Sequence, residues 1–276
     1  MRLSMIGGGS AALSALFCVC TLVTLADQHP PAAPAADKGV ERRGGSVPVL
    51  VELFTSEGCS SCPPADAALL RLASERIVPG AEVIALEEHV DYWNRLGWTD
   101  PFSSRAFSLR QDEYGESFGA RQIYTPQMIV DGRTEFVGSD LTRAEGAVAE
   151  AARSRKAPVR ITGVPRALSD DVLTVRIESG PLTADAGTPE LWVAITEDGL
   201  TTDVQAGENG GRKLRHGAVV RALQKIGRLD PSSAAEAHVR VGKDWMRERL
   251  RVVAFVQERA SHRILGATVE RLSALE

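Results

Sequence analysis

Cys59 and Cys62 stand two residues apart in the stretch VPVLVELFTSEGCSSCPPADAA, residues 47–68. Two thiols at this spacing can close a disulfide when the second sits in the first turn of a helix. Unpaired N–H groups at a helix N-terminus favour a thiolate over a thiol, so the same placement activates the first cysteine. Cys59, ahead of the helix and open to solvent, is then the nucleophile, and Cys62, more covered, resolves a mixed disulfide. Two other uses of the pair stay open. Cys59 and Cys62 could hold a soft ion such as Cu(I), joined by His89 or His216. A complete structural zinc site needs four ligands, and beyond this pair the chain without its first 26 residues offers only scattered histidines. The pair could also be an inert structural disulfide.

Five other groups of residues carry candidate chemistry. Glu52, seven residues before Cys59, could relay a proton to Cys62 from behind the dithiol, or face outward on the sheet. Glu57 could oppose thiolate formation or simply face water. Thr125-Pro126 opens a strand, and a proline there can hold a cis peptide bond beside the thiols; an ordinary strand-start proline is the alternative. His89 and Trp93 lie in an aromatic-rich segment that could form a substrate platform or plug a small core. Asn209, Arg212 and His216, in GENGGRKLRH, could line a binding loop folded over the dithiol or belong to an ordinary long hairpin.

Positioning these residues requires a strand over about 47–55 and a helix over about 61–75, with Ala67, Leu70 and Leu72 available for burial. A second strand covers about 82–89. A strand–helix–strand order implies a parallel pair, whose working edge lies beyond the strand carboxyl ends, where Cys59 and His89 both emerge. A helix over 103–118, a strand at 127–130, an Asp131-Gly132 hairpin turn, a strand at 135–137 and a helix capped by Ser139 or Asp140 complete a β-α-β-α-β-β-α order. From Ala157 alternating strands separated by turn residues replace helices, which predicts a β-sandwich. The fold class expected is an α/β domain over 47–156 followed by an all-β sandwich over 157–276.

The 276 residues are 43% hydrophobic and 25% charged, with a net charge of -4, which gives no reason to expect nucleic acid as a partner. Residues 1–26 read as an export signal: Arg2, then the apolar run AALSALFCVCTLVTLA. An uncleaved N-terminal anchor is the alternative. Residues 27–46, rich in proline, alanine and glycine, form a flexible leader. The expected location is periplasmic or secreted, where a CxxC pair can stay oxidised. No nicotinamide or flavin fingerprint occurs, so no cofactor is expected, and beyond the first segment no integral membrane domain.

The CxxC after a strand, Thr125-Pro126 and the β-α-β-α-β-β-α order resemble the thioredoxin superfamily. That resemblance implies an active dithiol at Cys59 and Cys62, a cis-proline at Pro126 and an approximate match for the buried strand carboxylate in Glu52, although GCSSCPP replaces the familiar WCGPC. The segments LFTSEGCSSCPPAD, EEHVDYWNRLGWTDPF, YTPQMIVDGR, GENGGRKLRHGAVVR and VVAFVQ resemble domain-of-unknown-function family 1223, an exported group, over about 47–272. This resemblance implies a thioredoxin-like domain followed by a β-sandwich. The function expected is thiol–disulfide oxidoreduction with protein or small-molecule thiols and a separate redox partner. The alternatives are soft-metal binding or a non-enzymatic interaction module.

Overall fold

The computed structural model describes residues 45–163, 171–230 and 234–275. The expected export signal at 1–26, with Cys18 and Cys20, and nearly all of the leader lie outside them. The first half follows the expected order: β1 (Val47–Thr55), α1 (Pro63–Ser74), β2 (Ala81–His89), α2 (Arg105–Phe118), β3 (Gln127–Val130), β4 (Thr134–Val137) and α3 (Leu141–Ala151). The second half is nearly all strand: β5 (Val159–Gly163), β6 (Val172–Ser179), β7 (Pro189–Glu197), β8 (Leu200–Asp203), β9 (Lys213–His216), β10 (Val219–Arg228), β11 (Ala235–Arg240), β12 (Leu250–Glu258) and β13 (Ile264–Arg271).

Local chemistry sets these boundaries. Pro63 and Pro64 fill the opening positions of α1, where a missing N–H costs no helical bond. The helix therefore starts at Pro63 rather than at Ser61. Ser104 caps α2 by accepting from the Ala106 amide, and Gly119 ends it in the left-handed conformation. Asp140 caps α3 through the Arg143 amide. Asp131 and Gly132 both take positive φ, as a tight β3–β4 turn of the mirror-image type requires.

β1 and β2 pair in parallel, β1 and β3 antiparallel, and β3 and β4 antiparallel, giving the order β2-β1-β3-β4. Val49, Val51 and Leu53 face α1 and α3, whereas Leu50 and Phe54 face the other side, where Phe107 and Tyr114 of α2 pack. α1 buries Ala65, Asp66, Ala68, Leu69 and Leu72; Ala67 is exposed and Leu70 only partly covered. The expected stripe was thus rotated, and a carboxylate sits on the buried face.

The strand-rich half joins this sheet. β10 meets β2 in parallel at the single register pair Val219–Glu87, with the Glu87 amide donating to Ala218 O at 2.9 Å. One eight-stranded sheet results, β13-β12-β7-β10-β2-β1-β3-β4. A three-stranded sheet, β11-β6-β5, packs across its β13-β12-β7-β10 part around Val175, Ile177, Val193, Val239 and Val252, which makes the sandwich. β8 and β9 pair as a separate hairpin. A long hairpin is one of the two readings of GENGGRKLRH, but the two short polar strands themselves are not among the strands expected.

Candidate functional site

β1 ends at Thr55, and the chain turns through Ser56–Gly58 into Cys59 before α1 begins. The Cys59 amide donates to Ser56 O at 3.1 Å and the Cys62 amide to Cys59 O at 3.2 Å, which coils the segment into a tight turn. Cys59 and Cys62 are joined as a disulfide with their Cα atoms 5.4 Å apart. Ser60 and Ser61 between them are exposed.

Cys59 itself is not open to solvent as its place in the sequence suggests; its exposure is 0%, as is that of Cys62. The polar loop before β9 covers the turn. Buried Asn209 donates through Nδ2 to both Glu57 O and Cys59 O, each at 2.9 Å. Arg212 holds the other end of that amide, donating to Asn209 Oδ1 at 2.7 Å. Glu208 accepts from the Ser60 amide at 2.9 Å, a contact that keeps its carboxyl below the usual range. Gly207, with φ of +75°, lets the loop pass within contact of Trp98. Asn209 thus lies against the cysteine turn with Arg212 behind it, in the loop that closes the β8–β9 hairpin.

Behind the disulfide lies a buried polar cluster. Glu57 does not face water: one oxygen accepts from Trp98 Nε1 at 2.8 Å and the other lies 3.2 Å from His216 Nε2. The other His216 nitrogen, Nδ1, is 2.7 Å from Glu87 Oε1, and His89 Nε2 is 3.2 Å from the same oxygen. His89 Nδ1 in turn lies 2.7 Å from Asp100, which also accepts from the Glu57 amide at 2.8 Å and closes the ring. Burial opposes charge on Glu87, yet the His216 hydrogen bond and charge, followed by those of His89, bring its pKa down to about 2. Burial also opposes protonation of His216, but bonds to Glu57 and Glu87 raise it to about 9. Burial opposes protonation of His89 as well, but the charges and hydrogen bonds of Asp100 and Glu87 together hold it well above the imidazole range.

Asp66 completes this side. Its amide donates to Cys62 O at 3.1 Å, which places it one helical turn past the second cysteine. Its carboxyl accepts from Thr55 Oγ1 at 2.6 Å. Burial and then the Glu87 charge push its pKa up to about 7. Sequence reasoning treated Asp66 as an ordinary helix residue; the signal available was its i+4 spacing from Cys62.

The remaining expected residues divide. Thr125-Pro126 is cis. Trp93 donates to Thr125 Oγ1 at 2.8 Å and approaches Gly58, bridging that peptide to the cysteine turn. Trp93 also packs against the cluster of Phe54, Val90, Tyr114 and Ile129, as a ring that plugs a small core does. Glu52 is buried, not facing water, and lies on the opposite face of β1 from α1, bonded to Arg110 Nε at 2.6 Å and to the Tyr114 hydroxyl. His89 is not grouped with the cysteines; both its ring nitrogens go to carboxylates, and it gathers instead with Glu87 and His216.

A thiol–disulfide pair at the end of a central strand, beside a cis-proline, is an arrangement that can exchange disulfides. The fold resembles thioredoxin-like domains in its first half. The chain is similar to a protein of known crystal structure, AGR_C_4864 from Agrobacterium tumefaciens, with 29% identity and a TM-score of 0.61 over 81% of this chain and 94% of that one. A DUF3823 family protein from Bacteroides ovatus aligns at 14% identity over 41% of this chain and 54% of its own, with a TM-score of 0.27. A domain of the outer membrane lipoprotein Omp28 from Porphyromonas gingivalis aligns at 15% identity over 43% and 95%, with a TM-score of 0.25. No curated protein matches the chain. Among the described residues no helix is long and apolar enough to cross a membrane. A family profile described as "Protein of unknown function (DUF1223)" matches residues 50–257, and the chain belongs to that family.

Proposed function

We propose that this protein is an exported thiol–disulfide oxidoreductase, working in the periplasm or outside the cell, with Cys59 and Cys62 as its redox pair. The observation that carries the reading is the Cys59–Cys62 bridge between β1 and α1. It is supported by the cis Thr125-Pro126 peptide, tied to the cysteine turn through Trp93. A substrate thiolate attacks Cys59 Sγ, forming a mixed disulfide and releasing Cys62 as a thiolate. A second substrate thiol then attacks its own sulfur in the mixed disulfide and releases Cys59. The substrate loses two electrons and the protein becomes a dithiol, which a partner disulfide reoxidises. The reverse steps reduce a substrate disulfide at the expense of the dithiol.

Asp66 is the group placed to protonate Cys62 as it leaves, since it lies a turn away and exchanges its proton near neutral pH. Glu52, spent on Arg110 and Tyr114 across the sheet, is assigned no part in the exchange. Access to Cys59 requires the loop holding Asn209 to lift from the turn.

The test is trapping in the native compartment. Cys62→Ser is expected to leave Cys59 linked to substrate, because the resolving thiol is gone, and mass spectrometry of the adduct identifies the substrate. Absence of any adduct, with a wild-type disulfide that neither dithiols nor thiols reduce in the folded protein, would mean a structural bridge.

A further inference from the structure

The cluster behind the disulfide has a geometry that disulfide exchange does not use. Glu87, His89 and His216 present three ligand atoms that lie within 4.8 Å of one another, all on buried residues. Tetrahedral ligands about 2.1 Å from an ion lie about 3.4 Å apart. The observed separations from Glu87 Oε1, 2.7 Å to His216 Nδ1 and 3.2 Å to His89 Nε2, are close to that edge length. The far nitrogen of each ring is braced by its own carboxylate. Asp100 holds His89 Nδ1 at 2.7 Å, and Glu57 lies 3.2 Å from His216 Nε2. A carboxylate behind each imidazole fixes ring orientation and strengthens the opposite nitrogen as a ligand.

Each brace is itself held. Asp100 accepts from the Glu57 and Phe102 amides, and Glu57 from Trp98. Glu87 Oε2 accepts from the Gly217 amide at 3.0 Å, leaving Oε1 turned toward the two rings. His216 also lines a cavity of about 480 Å³, together with Leu69, Leu70, Val83, Arg215 and Arg251. That cavity meets the cluster at His216.

We infer that Glu87 Oε1, His89 Nε2 and His216 Nδ1 form a binding site for one divalent first-row cation of the zinc type, braced by Asp100 and Glu57 and separate from the cysteines. Two imidazoles and one carboxylate are borderline ligands that suit Zn²⁺ better than Ca²⁺ or Mg²⁺. No thiolate takes part, which distinguishes the site from a soft-metal site built on Cys59 and Cys62. Binding removes the proton from each ligating nitrogen and changes no oxidation state.

The full chain, stripped with chelator and with its disulfide intact, would be dialysed against Zn²⁺ and the bound metal counted. One equivalent is expected in the wild type and in the Cys59→Ser/Cys62→Ser double variant, so the result does not depend on disulfide exchange. His216→Ala and His89→Ala are expected to weaken binding by at least about 100-fold, and Asp100→Asn by about 10–100-fold. Should the histidine variants fail to fold, Co²⁺ in the wild type gives the same answer. Visible d–d bands without a thiolate charge-transfer band support the site, and a thiolate band overturns it. Failure of the folded wild type to retain Zn²⁺, or binding that persists without His89 and His216, also overturns it.

Discussion

Two buried polar clusters lie back to back across β1 and β2, and they are built on different cations. On the α1 face, His89 and His216 sit among Glu57, Glu87 and Asp100. On the α2 face, Arg110 lies between Glu52 and Glu88, 2.6 Å from the first and 3.7 Å from the second. The pleat makes the division: successive residues of a strand point to opposite faces, so Glu87 and His89 go one way and Glu88 the other. An imidazole can release its proton and bind something else. A guanidinium cannot, and Arg110 is further enclosed by the rings of Tyr114, Trp192 and Phe255, with its carbon 4.7 Å from the Trp192 centroid. The α2 cluster is therefore a fixed anchor between the two halves of the molecule, reinforced by Gln257 of β12, whereas the α1 cluster is exchangeable and backs onto the disulfide.

Removing the fixed cation is the hardest test of this contrast. Arg110→Met leaves Glu52 without its cationic partner in the interior, and breaking a buried pair in this way costs about 3–5 kcal/mol. Denaturant unfolding should show a loss of that size, and adding Glu52→Gln should recover part of it. A loss below about 1 kcal/mol would remove the distinction between anchor and exchangeable cluster. Glu88 sharpens the point. Neither of its oxygens has a hydrogen-bond partner, and burial followed by the Glu52 charge holds its carboxyl well above the usual range. Burial thus disfavours charge on Glu88, and Arg110 lies closer to Glu52, at 2.6 Å against 3.7 Å.

The α1 face should respond to pH through Asp66. Its pKa is raised from the ordinary carboxyl value to about 7 by burial and Glu87, against the opposing influence of His216, Thr55 and His89. A folded-state pKa above the unfolded one gives stability that is complete below the unfolded pKa and lost as pH rises through the folded value. Wild-type stability should therefore fall relative to Asp66→Asn between about pH 4 and pH 7, by on the order of 3 kcal/mol. Unfolding curves of the two proteins at pH 5 and pH 8 measure this difference. Parallel pH profiles would show that Asp66 carries no raised pKa and has no claim on the proton of Cys62.

Much of this molecule is legible in its sequence, and what is hidden is hidden for identifiable reasons. The apolar run ending in Thr55, the Pro63-Pro64 pair and Asp131-Gly132 are local signals, and each marks its element to within two residues. β8 and β9 carry no such signal: LTTD and KLRH are four residues long and mostly polar, too short for an alternation to show. The strand pairing that joins the two halves is one register pair, Val219–Glu87, and a single pair leaves no pattern along the chain. His216 and Glu57 are 159 residues apart, so their contact is not visible before the fold is known. The segregation of Glu87 and His89 from Glu88 was readable, because strand alternation alone puts them on opposite faces.

The smallest expected effect concerns the cover over the disulfide. Asn209 donates to Glu57 O and Cys59 O, and Arg212 fixes its orientation. Asn209→Ala removes both bonds and leaves two carbonyls near the surface, where water can reach them once the loop loosens. The stability loss should then be about 1–2 kcal/mol, below the full cost of two unsatisfied buried groups. The same change should expose Cys59 and speed reduction of the disulfide by a small dithiol, about tenfold if the loop's closed state is weakened by about 1.4 kcal/mol. Arg110→Met, which destabilises the opposite face more severely, should not accelerate reduction under conditions where that protein stays folded. If the two variants speed reduction alike, the disulfide is reached through general loosening of the fold, and the Asn209 loop has no gating role.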